Sequence, residues 1–216
     1  MTATPNRKRT PPDRQRDAER TKAKLIDAAR EEFAAKGRAG ARVQDIANRA
    51  GVDKQLISYY FGGKDGLYDE IARAWQQRET ALQQESLALP EVAVRYLREA
   101  LADPRLTRMF IWQGLTADLD KPAEAGDTPE IHSMRERKHR GELASDLDEA
   151  AVVLALNGAV AVAALMPELV QRLYGVPPSD PEFAERYGEQ LRRMVGRLAL
   201  PAGPELTDHA PPPAAH

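Results

Sequence analysis

Residues 43–67 read VQDIANRAGVDKQLISYYFGGKDGL, and their pattern decides the fold. They spell two short helices joined at Gly51, with another launched after Gly62, Gly63 and Lys64. Ile46, Ala47, Ala50, Val52, Ile57 and Phe61 supply a small apolar knot. Around it stand Gln44, Lys54, Gln55, Ser58, Tyr59, Tyr60 and Lys64, all able to bond phosphates or base edges. Gly51 permits a backbone turn that a side chain would resist. Asp53 is placed to cap the helix after it, its carboxylate accepting amide protons of the first turn.

A compact knot with a polar, basic outer face suits a helix-turn-helix that reads DNA. The segment Asp53 to Tyr60 is barely two turns, so few of its side chains reach base edges. Lys54 and Gln55 at its start are best placed. Gln pairs with adenine in bidentate fashion, and Lys reaches guanine O6/N7 or a phosphate. Ile57 and Phe61, four apart, should point inward. Leu56 either packs under the first helix or touches a thymine methyl. The hydroxyls of Tyr59 and Tyr60 suit phosphate oxygens, unless the pair packs on the long helix. Lys64 starts that helix, where free amides and its ammonium can jointly hold a phosphate. Arg42 and Gln44 sit at the end of the second helix that faces the backbone or groove edge.

Working outward, Leu25, Ala29 and Phe33 recur at helical spacing, so a first helix is expected from Asp17 to a stop at Gly37. The second runs near Val43 to Ala50. Residues 1–16, rich in Pro and Arg, are expected to be a disordered basic arm. From Lys64 a long helix carries Leu67, Ile71, Ala74 and Trp75 on one stripe. Further helices are expected near Glu91 to Ala102, from Pro104 through Met109, Trp112 and Leu115, and near Glu130 to Ala144, with RERKHR facing solvent. The most apolar helix is expected over Asp148 to Tyr174, and the last over Asp180 to Leu200. Residues 121–129 read as a loop and 201–216 as a disordered tail. Period-2 strand signals are lacking, so the fold class is all-α. The expected organisation is an arm (1–16), a three-helix DNA-binding domain (17–64), a helical ligand-binding and dimerisation domain (65–200) and the tail.

Composition narrows the class. The chain has 216 residues, 42% hydrophobic and 30% charged, as in ordinary folded proteins. Cysteine is absent, which excludes disulfides and thiolate metal sites. No signal-peptide core opens the sequence, and the most apolar stretch is too short to read as membrane-spanning, so a cytoplasmic protein with no membrane partner is expected. Of 31 Lys and Arg, 15 fall in residues 1–64, against 8 of the 33 Asp and Glu. A basic front on an acidic body marks a localised polyanion site.

By this point the residues carry a resemblance. Ile46-Ala47, Ala50-Gly51-Val52, Tyr60-Phe61, Lys64 and Leu67 resemble the DNA-binding domain of the TetR/AcrR (tetracycline-repressor-like) transcription regulators. LIDAAREEFAAKG, residues 25–37, looks like that family's first helix. Three positions depart from it. Arg42 stands where the family often has Thr, so a side-chain cap worth about 1 kcal/mol is lost. Ser58 replaces a Tyr often used on phosphate. Gly63 occupies a usual Ser/Asn cap position.

The resemblance implies a homodimer, since one short recognition helix reads too few bases. It implies a four-helix interface from Val152, Leu156, Ala159, Val160 and Ala163 with Leu191, Met194, Val195 and Leu198. It also implies a small-molecule pocket, for which Met109, Trp112, Gln113 and Thr116 are candidates, with Tyr96, Met134 and Asn157 nearby. Few ionisable groups fall on these apolar faces, which points to an apolar or aromatic effector. No cofactor is implied. Repression of a palindromic operator is the expected action, because a bound dimer blocks polymerase without an activating surface. The alternative is a ligand-independent helix-turn-helix architectural protein.

An enzyme is not expected. His132 and His139 share a helical face but lack a carboxylate arrangement that makes a metal site. Gly62-Gly63-Lys64-Asp65 lacks the upstream glycine and the Ser/Thr of a phosphate loop. Gly37-Arg38-Ala39-Gly40 matches a GXXG loop in a helix context unlike that of a KH domain.

Overall fold

Helices supply the regular structure throughout residues 11–84, 87–117 and 128–199, which the computed structural model describes, and no strand occurs among them. The tail at 201–216, residues 1–10 of the expected arm and most of the 121–129 loop lie outside the described residues.

The first unit comprises α1 (Pro11–Gly40), α2 (Val43–Ala50), α3 (Gln55–Phe61), α4 (Lys64–Gln84), the last turn of α5 (Leu89–Ala102) and α6 (Pro104–Leu115). α1 begins before the expected Asp17, so residues 11–16 are helical rather than part of a disordered arm. Pro11 and Pro12 fit there because first-turn amides have no intrahelical acceptor to lose. The helix breaks where expected, at Gly37, whose φ of 68° and ψ of 174° are closed to residues with a Cβ. Leu25, Ala29 and Phe33 are fully buried against Ile46, Ala47, Ile57 and Leu67. α6 packs along α1 through Leu106 and Met109. The unit is therefore larger than residues 17–64.

On α4 the buried stripe is Leu67, Tyr68 and Ile71, with Trp75 half-buried. Ala74, expected on this stripe, is exposed. Tyr68 takes core space instead, its ring meeting Phe33 edge-on at 5.1 Å.

The second unit holds the earlier part of α5, α7 (Pro129–His139), α8 (Glu149–Leu165), α9 (Pro167–Tyr174) and α10 (Pro181–Gly196). Two expectations are corrected here. The helix expected over Asp148 to Tyr174 is two helices, set at 90°. Pro167 lacks the amide that would continue the ladder and instead starts α9. The RERKHR stretch does not lie wholly in solvent, since Arg137 is 3% exposed. It sits three residues after the buried Met134, on the same helical face. Its guanidinium donates to Glu142 at 2.6 Å and to the Leu87 carbonyl at 3.0 Å. Glu142 in turn accepts the Leu89 amide at 2.9 Å, which ties α7 to the start of α5.

No single helix among the described residues is long and apolar enough to cross a membrane.

Candidate nucleic-acid interface

α2 and α3 are held by backbone devices at each end. α2 starts at Arg42 with no side-chain cap, as expected from the absence of Thr. It ends at Gly51, in the left-handed region at φ 67°, with the Val52 amide donating back to Ala47 at 3.1 Å. Asp53 Oδ1 then accepts the Gln55 amide at 2.7 Å and starts α3. One face of α3 is fixed by fully buried Ile57, with Leu56, Tyr60 and Phe61 packed beside it. Leu56 thus takes the core position of its two expected alternatives.

The opposite face is open. Lys54, Gln55, Ser58 and Tyr59 are exposed, Tyr59 at 79%. Arg42 and Gln44 of α2 are also exposed. Gln44 Nε2 donates to Asn48 Oδ1 at 2.9 Å, which makes Asn48 a neighbour that the sequence reading did not single out. The i, i+4 spacing of two amide side chains was the signal for it.

Two expected contact residues are already committed within the fold. The half-buried Tyr60 ring lies beside Tyr59, with centroids 5.0 Å apart, and under the Lys22 ammonium at 5.6 Å. The Lys64 ammonium donates to the carbonyls of Ala39 at 3.3 Å and Ala41 at 3.1 Å. Those carbonyls lie where α1 gives way to α2, so Lys64 fixes the path into the helix-turn-helix.

An ion-pair cluster sets α2 against α1. Glu32, 5% exposed, lies 2.7 Å from Lys36 and 3.2 Å from Arg49, and Lys36 also reaches Asp45 at 3.0 Å. The Lys36 ammonium hydrogen-bonded to Glu32 holds that carboxyl below its ordinary pKa, against burial, and Arg49 adds to the effect. Arg38 performs the same service toward α4, pairing with Asp65 at 2.9 Å over the Tyr68 ring. Arg105 fastens the start of α6 to α1. It bonds Asp103 at 2.7 Å, Asp27 at 2.9 Å and Glu31 at 3.1 Å, and Asp103 foremost raises its pKa.

The four expected effector contacts all lie at or beside the end of α6, in different surroundings. Met109 is core, and Trp112 leans on α1, its indole donating to the Ala34 carbonyl at 3.2 Å. Gln113 and Thr116 are exposed, the Thr116 hydroxyl bonding the Trp112 carbonyl at 2.8 Å. Met134 and Asn157 belong to the other unit, Met134 buried and Asn157 exposed.

The expected dimer residues divide in two. Val152, Ala163, Leu191 and Val195 are buried within their own unit. Leu156, Ala159, Val160 and Leu198 are half-buried, and Met194 is exposed. The open apolar face of α8 instead runs through Leu154, Ala155, Gly158 and Val162, with Leu154 73% exposed. A helix apolar on every side gives no periodicity from which its buried face can be told.

Comparison with known proteins agrees with this geometry. A model of bacterial regulatory proteins of the tetR family matches residues 25–71. The chain is similar to the HTH-type transcriptional repressor SCO4008 of Streptomyces coelicolor, at 30% identity over 195 residues, spanning 84% of this chain and 98% of that protein. It is also similar to the HTH-type transcriptional regulator YttP of Bacillus subtilis, at 27% identity over 196 residues, 81% of this chain and 92% of that one. Among solved structures, the transcriptional regulator SCO4942 of Streptomyces coelicolor superposes with a TM-score of 0.63 at 27% identity, over 81% of this chain and 97% of its own.

Proposed function

We propose, of a chain that belongs to the tetR family of bacterial regulatory proteins, that it silences transcription as a homodimer gripping a palindromic operator. Family membership makes it a DNA-binding transcriptional regulator, and the finer reading rests on one observation. α3 buries Ile57 and leaves Lys54, Gln55, Ser58 and Tyr59 open on the opposite face. That face fits the major groove, where Gln55 and Lys54 reach base edges while Arg42, Gln44 and the Tyr59 hydroxyl hold the backbone. Lys64 supports the grip from behind, and Tyr60 braces Tyr59.

Two copies supply the two half-sites of such an operator. The open face of α8, with Met194 of α10, is the surface on which they meet. A small apolar or aromatic molecule bound by the helices after residue 64 releases the dimer, provided it binds the free form more tightly than the DNA-bound form.

Selection of DNA from a randomised duplex pool tests the reading. An inverted repeat, footprinted by two chains per duplex, is the expected result. A pool that stays featureless assigns the chain to ligand-independent architectural binding instead. Transcription from a promoter overlapping the selected site should fall as protein is added. Unchanged or rising transcription excludes repression.

A further inference from the structure

The end of α1 is an unusual piece of backbone. Gly37 leaves the helical region and kinks α1 one turn after Ala34, and the ladder resumes with the Ala41 amide donating to the Gly37 carbonyl at 3.1 Å. A side-chain donor reaches this kink from α6. The Trp112 indole N–H reaches Ala34 O at 3.2 Å, and its ring lies against the Gly37 backbone. A Cβ on Gly37 would stand 3.3 Å from Trp112 Cδ2 and Cε3. Trp112 therefore both bonds α1 and fills the space beside its kink.

Six residues further on, the chain enters α2. The connector between is held from the other side by Lys64, on the carbonyls of Ala39 and Ala41, and by Arg38 on Asp65. The path into the helix-turn-helix is thus suspended between α6 and α4.

We propose that Trp112 is a positioning residue for DNA reading, setting the presentation of α2 and α3 through the end of α1. This rests on the DNA-reading function proposed above. Trp112 touches no base. It acts where a specific complex needs the recognition helix at one angle, whereas non-specific phosphate contacts tolerate several.

The test compares wild type, Trp112→Phe and Leu106→Ala on two probes: the duplex wild type selects from a randomised pool, and a scrambled duplex of equal length. Leu106 lies buried six residues earlier on the same helix, so it controls for lost stability. Trp112→Phe keeps an aromatic ring and removes the donor. Its affinity for the selected duplex should fall about fivefold, with the scrambled duplex bound within about twofold of wild type. Leu106→Ala should lower the thermal midpoint and keep the ratio of the two affinities. Equal loss on both probes, no loss on either, or the same ratio change in Leu106→Ala overturns the inference alone. A wild type that selects no duplex overturns the DNA-reading premise and this inference with it.

Discussion

A Cβ placed on Gly66 would stand 1.8 Å from the carbonyl oxygen of Phe61, far inside any non-bonded contact. The first turn of α4 therefore nests on the end of α3 only because position 66 has no side chain. The obstacle is backbone rather than a rotatable group, so it cannot swing away.

Gly66→Ala should separate α3 from α4. A loss of at least about 3 kcal/mol in urea unfolding is expected, a large part of a typical domain's stability. DNA binding should disappear under conditions where residual helix content by circular dichroism remains high. A variant as stable as wild type would show that the close approach is not obligatory.

The neighbouring Lys64 makes a different case. Its ammonium is bound to Ala39 and Ala41, so its loss should act mainly through the fold. Lys64→Ala should cost about 1–2 kcal/mol of stability and change the salt dependence of DNA binding by less than one unit. Lys54→Ala, on the open face, should leave stability within about 0.5 kcal/mol and shallow the salt slope by about one unit. Salt titrations of the two variants side by side decide the assignment, and the reverse order would return Lys64 to the phosphate contacts.

Glu32 gives the helix-turn-helix a pH dependence. Its folded-state pKa is depressed by Lys36 and Arg49, so the folded chain takes up this proton less readily than the unfolded chain. The resulting stability is fully present above the ordinary value of 4.5 and is lost as pH falls through the depressed value. Thermal melts of wild type should decline along that acid limb. Glu32→Gln should start about 1–3 kcal/mol lower at neutral pH and decline less steeply below it. Parallel curves would remove Glu32 from the account.

Leu154→Glu tests the dimer surface. The side chain is 73% exposed, so the fold should tolerate the change, with a thermal midpoint shifted by no more than about 2 °C by intrachain effects. Sedimentation should show monomers where wild type shows dimers. A variant that stays dimeric places the contact elsewhere.

The residues also explain how far the sequence could be read. Leu25, Ala29, Phe33 and Ile57 are apolar at helical spacing within polar surroundings, so their burial follows from periodicity. Gly37, Gly51 and Asp53 mark backbone turns by their chemistry alone, and the structure places turns there. α8 was opaque for the opposite reason. It is apolar all round, so Val152 and Ala163 were as eligible for a partner as Leu154. The contacts that Arg137 and Trp112 make are not legible in the sequence because their partners lie far off along it. Arg137 meets Leu87 fifty residues away, and Trp112 meets Ala34 at a separation of 78. Spacing within one helix carries no information about such contacts.

Gln55 offers the most direct measurement. It is exposed at the start of α3, where its amide can pair with adenine in bidentate fashion. Wild type and Gln55→Ala should be compared across a library randomised at every operator position. The predicted result is loss of preference at one position in each half-site, symmetrically placed, by about 1–3 kcal/mol. Unchanged preference at all positions would contradict the claim that the open face of α3 reads the bases.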